Sequence, residues 1–397
     1  MKSNQHRHFA CVGSRLFRTA AALLLVIAIA VILPACGKGG ADPSENDANE
    51  PNNSVSDIDG PATEAASAET KDASNNAAAD VNIVRTAASS LKLVDQDTEA
   101  FTMQIPDGWE MRYGWDGEKL LMIRVYDPEQ PVNQIFFATD MVPFMKSEAA
   151  AREYARTGMT MFSEAVVLDP PTNANLFSQI PKLRTYYREA VKMETAAEIM
   201  PEIFHFELLE SADANSAFRG DNLDDSVLYG TFRNADGSAL GEGMFFSSIE
   251  DNYSGMHLEL SYYNVYNCTM ITSVKDEFVN YKEILLKSSA SLNLKQEFID
   301  LSLQNSQTSF SSLQQINAAI SASYYSYNSA WMARSQSQDI ARQKQSDATL
   351  GYERVYDTET GDIYKAYNGF TDDYTGSRYQ PVSDDMYTQG WSGYIEK

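Results

Sequence analysis

The chain has 397 residues, and its 55 acidic against 31 basic residues give a formal net charge of −24 at pH 7. A surface with this charge repels nucleic acid and anionic lipid headgroups, so neither is expected as a ligand. Cations and basic peptides would be attracted, although an acidic surface is also an ordinary means of keeping a protein soluble.

The N-terminus has the pattern of an export signal. Four basic residues precede an apolar run over residues 20–33, and no acidic residue occurs before position 42. The 14 residues of this run suit a signal peptide and are fewer than the ~20 needed to span a bilayer as a helix. A retained membrane anchor is the alternative, but the run stops abruptly at Ala35-Cys36, followed by a glycine-rich stretch.

This region resembles the signal peptide of bacterial lipoproteins. Leu33, Ala35 and Cys36 match the lipobox of that family, whereas Pro34 departs from its commonest residue. The resemblance covers about a tenth of the chain and implies cleavage after residue 35, with a diacylglycerol on Cys36. Because two acyl chains give stable anchoring, we expect a protein held by lipid on the extracytoplasmic face of a membrane.

Cysteine usage agrees with this interpretation. If Cys11 is removed and Cys36 carries lipid, Cys268 is the one remaining thiol, and the body has no internal disulfide. Cys268 is predicted to be a small buried hydrophobic residue; the alternative is a nucleophile paired with His205. Removal of residues 1–35 takes away four of the 31 basic residues and no acidic one, which leaves 27 against 55, or −28.

Residues 36–90 are rich in Ala, Asn, Asp, Ser and Glu and contain no aromatic residue. Such a segment buries too little apolar surface to offset chain entropy, so it is predicted to be a disordered acidic linker. A flexible chain of about 50 residues spans roughly 35–45 Å, which is enough to hold a domain clear of a membrane.

Residues 91–293 are predicted to form one α+β domain with an antiparallel sheet and packed helices. Residues 227–233 and 243–248 flank Asn234-Ala-Asp-Gly237, which indicates a hairpin. The order of elements, with Ile105-Pro-Asp-Gly-Trp109 early and a helix last, resembles the PsbP-like domains, most of which bind other proteins. The other predicted strands are 91–95, 101–105, 109–113, 120–126, 134–139, 204–209 and 256–265, and the predicted helices are 148–156, 178–200 and 278–291.

Residues 296–346 are predicted to form a long helix, since no Pro or Gly interrupts them. Its apolar residues follow a three- and four-residue spacing that puts them in one stripe. The stripe is expected to pack on the domain; an exposed docking face is the alternative. Its members are Leu303, Phe310, Leu313, Ile320, Tyr324, Tyr327 and Trp331.

The last segment, residues 351–397, is called the tail and is rich in tyrosine and acidic residues. Residues 352–356 and 363–367 flank a turn with Gly361 at the positive-φ position, which predicts a second hairpin. The run YDTETGDIYKAYNGF resembles a C-terminal segment of secreted proteins from clostridia-like bacteria, and this implies a compartment but no activity.

Two kinds of ligand site are conceivable in the tail. Asp357, Glu359 and Asp362 lie close together, but their spacing departs from a calcium loop, and an acidic turn needs no ion. Exposed aromatic rings could instead stack on sugar or peptide. The alternative is that the rings form the core of the tail. The candidate binding residues are Tyr379, Tyr387 and Trp391, with Asp372 and Asp373.

The sequence has no G-x-S-x-G, H-E-x-x-H or C-x-x-C motif and no phosphate-binding glycine loop, so we predict no catalytic residue, metal site or cofactor. We therefore expect a non-catalytic binding or adaptor protein at the cell envelope, with a protein or wall polymer as partner. The alternative is a wall hydrolase with two carboxylates across a cleft, at least one of raised pKa. The pattern does not indicate an oligomeric state.

Overall fold

The computed structural model describes residues 81–158, 160–213, 222–252, 262–305, 310–333 and 336–397. The predicted signal peptide, the lipidation residue Cys36 and the linker up to residue 80 lie outside these ranges.

The fold is α+β, as the sequence predicts, and it is built on a large antiparallel sheet. Seven strands follow one another in the order β4-β5-β6-β12-β11-β10-β8, while β7 pairs with β12 and β9 with β11. The strands are β4 (Glu110–Trp115), β5 (Leu121–Tyr126), β6 (Gln134–Asp140), β7 (Phe144–Met145), β8 (Phe204–Ala212), β9 (Asn222–Asp224), β10 (Val227–Arg233), β11 (Leu240–Asn252) and β12 (Tyr262–Val274).

Apolar side chains lie on both faces of this sheet. In β5, Leu121, Ile123 and Val125 belong to one core and Met122 to the other, because successive residues of a strand point to opposite faces. The predicted hairpin is confirmed: β10 and β11 are paired, and Gly237 has a φ of 72° in the turn between them. A sheet that is apolar on both faces must be covered on both.

Short helices cover the first face. Ser147 caps the first of them by accepting a hydrogen bond from the Ala150 N–H, as its sequence position predicts. The predicted helix over residues 178–200 is instead divided between two helices, Ile180–Glu189 and Glu194–Ile199. Pro181 lies in the first turn of the former, a position that tolerates proline. The helices of this face are α2 (Glu148–Arg156), α3 (Asn173–Ser178), α4 (Ile180–Glu189) and α5 (Glu194–Ile199). A preceding short helix, α1 (Ala87–Ser90), lies at the other face.

The second face is covered by a small sheet and longer helices. Strands β2 (Leu93–Asp97), β3 (Phe101–Pro106) and β13 (Asn293–Leu294) form the small sheet. The helices are α6 (Phe278–Ala290), α7 (Gln296–Asn305), α8 (Phe310–Ala333) and α9 (Gln336–Leu350).

The predicted helix over 296–346 is helical in all of its described residues, which belong to α7, α8 and α9. Its stripe packs on the domain, as expected, where it is described: Leu313, Ile320, Tyr327 and Trp331 are buried in the second core.

The tail forms a sheet of its own together with the start of the described chain. Its strand order is β1-β17-β15-β14-β16, and a small core lies on it. The predicted tail hairpin is confirmed, with Gly361 at a φ of 81°. The elements are β1 (Asn82–Arg85), β14 (Tyr352–Asp357), β15 (Ile363–Tyr367), α10 (Phe370–Asp373), β16 (Tyr379–Pro381) and β17 (Gly393–Glu396).

Strand β1 corrects the predicted limit of the linker. Residues 82–85 lie inside the segment predicted to be disordered, yet they pair with β17 in antiparallel register. Ile83 packs at the edge of the tail core. A short apolar pair in a polar segment becomes a strand because a distant partner strand supplies its hydrogen bonds.

Candidate ligand cleft

A cleft of about 700 Å³ lies between the large sheet and helix α9. One wall is made by β8, β10 and β11, and the other by the side of α9 that faces them. The turn that leads from β12 into α6 closes one end, and Trp331 of α8 contributes to the floor. Clefts of this size, formed where separate parts of a chain meet, are the usual places for small ligands.

Glu242 is the buried carboxyl of the sheet wall. One of its oxygens accepts a hydrogen bond from the Tyr229 hydroxyl at 2.8 Å, and the other accepts one from the Asp276 N–H at 3.0 Å. Burial raises the pKa of Glu242, while the Tyr229 hydrogen bond opposes the rise. The protein thus fixes the carboxyl group by two donors at the inner end of the cleft.

Two ion pairs line the rest of the cleft. At its end, the Lys275 ammonium lies 2.8 Å from both oxygens of Asp276. On the helix wall, Arg342 lies 2.5 Å from the buried carboxylate of Asp339, one turn away on α9. Arg342 itself is exposed, with 46% of its side chain accessible.

The floor of the cleft is aromatic but offers no open ring face. Tyr229 and Trp331 meet edge to face with 5.4 Å between ring centroids. The Lys282 ammonium lies 5.1 Å from the Trp331 ring centroid, and Phe278 packs 5.3 Å away. Both rings are at least nine-tenths buried, so the floor supplies an apolar surface and not a stacking platform.

The rim and the helix wall carry polar groups that are exposed or that lack a hydrogen-bond partner among the described residues. His205, Glu207 and Arg233 are exposed on β8 and β10. The Arg233 guanidinium donates a long hydrogen bond to the Gly237 carbonyl, at 3.5 Å. Among the described residues, none donates a hydrogen bond to the buried Oε1 atom of Gln343. A ligand in the cleft would therefore meet groups of both signs.

The tail holds α9 in position opposite the sheet. Asp347 of α9 lies 2.7 Å from Arg354 of β14 and 2.7 Å from Lys365 of β15, and all three side chains are at most 5% exposed. The Trp391 ring covers the two cations, with its centroid 3.7 Å from the Lys365 ammonium. Burial lowers the pKa of Lys365, and Asp347 opposes this.

The structure corrects the prediction of an exposed aromatic site in the tail. Tyr379 and Trp391 are buried, with 6% and 3% of their surface accessible. Tyr387 is half-buried, and its ring lies 4.7 Å from the Arg354 guanidinium. Aromatic rings supply most of the apolar surface of the small tail core because this core has few aliphatic residues. Asp372 and Asp373 are exposed in α10, but they have no exposed aromatic surface from Tyr379 or Trp391 beside them.

The carboxylates in the acidic turn of the tail are bound by an arginine of the protein. Arg378 binds Asp357 through two nitrogens at 2.8–3.1 Å and lies 3.2 Å from Glu359. These hydrogen bonds lower the pKa of Asp357. The described residues contain no cluster of three or more His, Cys, Asp and Glu side chains that could hold a metal ion.

Cys268 is fully buried on β12, as predicted, and burial raises the pKa of its thiol. His205 is exposed on β8, three strands away in the sheet. Three strand spacings amount to about 14 Å, so the two residues do not form a nucleophile and base pair.

Sequence reasoning missed the cleft because its residues come from distant segments. One local feature could have pointed to it: Glu242 is followed in β11 by seven uncharged residues, 243–249, and all seven are buried. Charged residues are seldom fully buried without a partner, so an acidic residue in such a run marks a polar network.

No family model, curated protein or solved structure matches this chain. Among the described helices, none combines the length and apolar character needed to cross a bilayer.

Proposed function

We propose that this chain is a lipid-anchored, extracytoplasmic binding protein and that its ligand occupies the cleft between the large sheet and α9. The lipobox-like residues Leu33, Ala35 and Cys36 support the anchor. The cleft, about 700 Å³ in volume and lined by groups of both signs, supports the binding role. Membrane attachment is through lipid on Cys36, and the partner is a wall polymer or a protein at the envelope.

The cleft is the observation that carries this proposal. Its volume of about 700 Å³ is room enough for a small ligand, and its walls come from the domain and from the helix that the tail holds in place. Rigid positioning of both walls favours binding because less ordering is needed when the ligand arrives. The tail aromatics contribute by fixing α9 and not by touching the ligand.

The anchor is tested by replacing Cys36 with Ala in the full chain. The proposal expects that the unchanged protein incorporates labelled fatty acid and stays with the membrane fraction. The C36A chain should take up no label and should not remain membrane-bound as a lipidated form. Equal labelling of both chains would remove lipidation at Cys36 from the proposal.

The cleft is tested by filling it. Thr349 is exposed on α9 and lines the cleft, so T349W should reduce retention of the protein on purified cell envelope. Ala341 is exposed on the same helix but does not line the cleft, and A341W is the matched control. Loss of retention in both variants, or in neither, would count against the cleft. Deletion of the tail is unsuitable as a control because Arg354 and Lys365 hold α9.

A wall hydrolase is the second candidate, favoured by one observation: Glu242 is a cleft carboxyl with a raised pKa, and Asp276 lies beside it. Against catalysis, both Glu242 oxygens accept hydrogen bonds from the protein, and Lys275 engages both oxygens of Asp276. Release of soluble sugar from purified wall, abolished in E242Q, would decide for the hydrolase.

A further inference from the structure

We propose that the chain has a second ligand site, in a cavity between helices α2 and α4, and that this site binds the acetamido group of an N-acetylated sugar. The cavity, called here the α2–α4 cavity, has a volume of about 520 Å³, which is within the usual range for sites of small ligands. Its described lining has no residue in common with that of the cleft at α9. The site is therefore additional to the one that the proposed function uses.

The floor of the α2–α4 cavity is apolar and consists mainly of small side chains. Ala151 belongs to α2, and Ala165 and Val166 belong to the segment that leads from α2 toward α4. All three side chains are part of the first core and are at most 7% exposed. A small apolar group of a ligand, such as a methyl group, would lose its contact with water on this floor and gain free energy from burial.

One polar group belongs to this floor and has no partner. Tyr186 of α4 lines the α2–α4 cavity and is 4% exposed, and no described residue forms a hydrogen bond with its hydroxyl group. Buried tyrosine hydroxyls usually have a hydrogen-bond partner, and a buried polar group without one is costly. A ligand atom that formed this hydrogen bond would remove the cost. Tyr186 thus marks the position of a polar ligand atom.

The surroundings of Tyr186 determine which polar atom fits. Burial and the negative charge of Glu164 raise the pKa of Tyr186, so its hydroxyl stays protonated at neutral pH and can donate a hydrogen bond. Glu164 also lines the cavity, and because it is exposed its side chain can move aside for a ligand. The matching ligand atom is an acceptor beside a small apolar group. An acetamido group has both, as a carbonyl oxygen and a methyl group.

The rim of the α2–α4 cavity favours a sugar over a peptide as the carrier of this group. Its exposed side chains include Ser163, Lys182, Thr185 and Glu189, which can donate hydrogen bonds to sugar hydroxyls or accept them. Extended peptides are commonly bound through main-chain hydrogen bonds at the edge of a sheet. The two helices that form the walls offer no such edge, because their backbone groups are bonded within each helix.

The test measures binding of tri-N-acetylchitotriose to the full chain by ligand-observed NMR. Cellotriose is the matched probe without acetamido groups, and N-acetylalanine methylamide carries the same group on a peptide. Binding of the chitotriose alone is expected. Equal binding of cellotriose would overturn the role of the acetamido group, and binding of the peptide alone would overturn the sugar. Absence of chitotriose binding would overturn the site.

Tyr186 is tested by the variant Y186F, which removes the hydroxyl group and keeps the ring. Chitotriose binding should become about three- to tenfold weaker, the contribution of one hydrogen bond between neutral groups. The resistance of Y186F to urea should not fall, because the hydroxyl group has no partner to lose. The control Y325F removes a hydroxyl group from a tyrosine of α8 that is 77% exposed, and its affinity should be unchanged. Unchanged affinity in Y186F, or a loss of stability, would overturn the inference.

The location is tested by filling the cavity. Thr185 and Thr157 are both exposed, and the hydroxyl group of each donates to a backbone carbonyl three or four positions earlier. Only Thr185 lines the α2–α4 cavity, so T185W should abolish chitotriose binding and the control T157W should retain it. T349W, which fills the cleft at α9, should retain it as well. Loss of binding in T349W and not in T185W would place the sugar in that cleft and overturn the second site.

Discussion

Asp347 joins helix α9 to two strands of the tail through a single carboxylate. Arg354 and Lys365 are its partners, and all three groups are almost completely buried. The net contribution of such a group is small, because desolvation of the charges offsets their attraction. Removal of one partner has a much larger effect, since the remaining charges stay buried without compensation.

We therefore predict that D347N lowers the free energy of unfolding by about 3–5 kcal/mol, measured by urea denaturation. The matched control is D384N, which breaks the ion pair of Asp384 with Lys344, where both side chains are at least 41% exposed. Its effect should stay below about 1 kcal/mol. Similar losses in the two variants would contradict the assigned role of the buried network.

Cys268 gives a residue-scale test of core packing. The thiol is fully buried on β12, and burial raises its pKa, so the reactive thiolate is scarce and inaccessible. In a chain with Cys11 and Cys36 replaced by Ser, a maleimide reagent should label Cys268 only at urea concentrations that unfold the protein. Rapid labelling without urea would contradict the buried position.

At the scale of elements, β1 is held by hydrogen bonds to the last strand of the chain. The Thr86 N–H donates to the Ser392 carbonyl at 3.0 Å, and the register places Val84 opposite Tyr394. Since hydrogen-bonded pairs alternate in an antiparallel ladder, the Val84 N–H also points toward β17. Its side chain, by contrast, is 43% exposed.

We predict that V84P detaches β1 and lowers the stability of the tail sheet by about 3 kcal/mol, because proline lacks the N–H group. Hydrogen exchange of the β17 amides should increase. V84A keeps the N–H and removes only exposed methyl groups, so its exchange should match the unchanged protein. If V84A has the same effect, the side chain and not the ladder holds β1.

The elements that the sequence predicted are those encoded by neighbouring residues. Gly237 and Gly361 supply the positive φ of their hairpins, and Ser147 caps its helix. Each of these features depends on contacts within a few positions. The α+β class follows from the same local patterns.

The features that were missed depend on distant contacts. β1 has only two apolar residues, Ile83 and Val84, and becomes a strand through residues 393–396. Tyr379 is buried among rings of the tail core, and Trp391 is buried over the two cations that bind Asp347. No spacing in the sequence indicates either contact. The cleft likewise joins β8, β10, β11 and α9, which no local pattern brings together.

At the scale of the whole molecule, buried carboxyls set the response to pH. Burial raises the pKa of Asp116 to about 6, although its carboxylate accepts the N–H groups of Glu118, Lys119 and Leu120. The folded chain therefore keeps this proton between pH 4 and 6, where the unfolded chain has released it. The free energy of unfolding should fall as the pH rises through this window and level off above it.

The predicted change is about 2 kcal/mol for Asp116 after allowance for its partial exposure. The D116N variant retains a side-chain carbonyl for the backbone N–H groups but has no proton to release, so its stability should depend less on pH between 4 and 6. Urea denaturation at several pH values measures both curves. If the stability of the unchanged protein and that of D116N depended on pH in the same way, groups other than Asp116 would cause the pH dependence.

The pairing of β1 with β17 also determines the order in which the two sheets can form during synthesis. Their paired residues Asn82 and Glu396 are 314 positions apart, so at typical synthesis rates the first strand waits roughly 15–60 s for its partner. The large sheet and its helices can form during this delay, while the tail sheet closes last. A chain without residues 393–396 lacks β17, and β1 then has no partner strand for its hydrogen bonds. Closure of the tail sheet therefore joins residues 82–85 to residues 393–396 after the parts of the chain between them have been made.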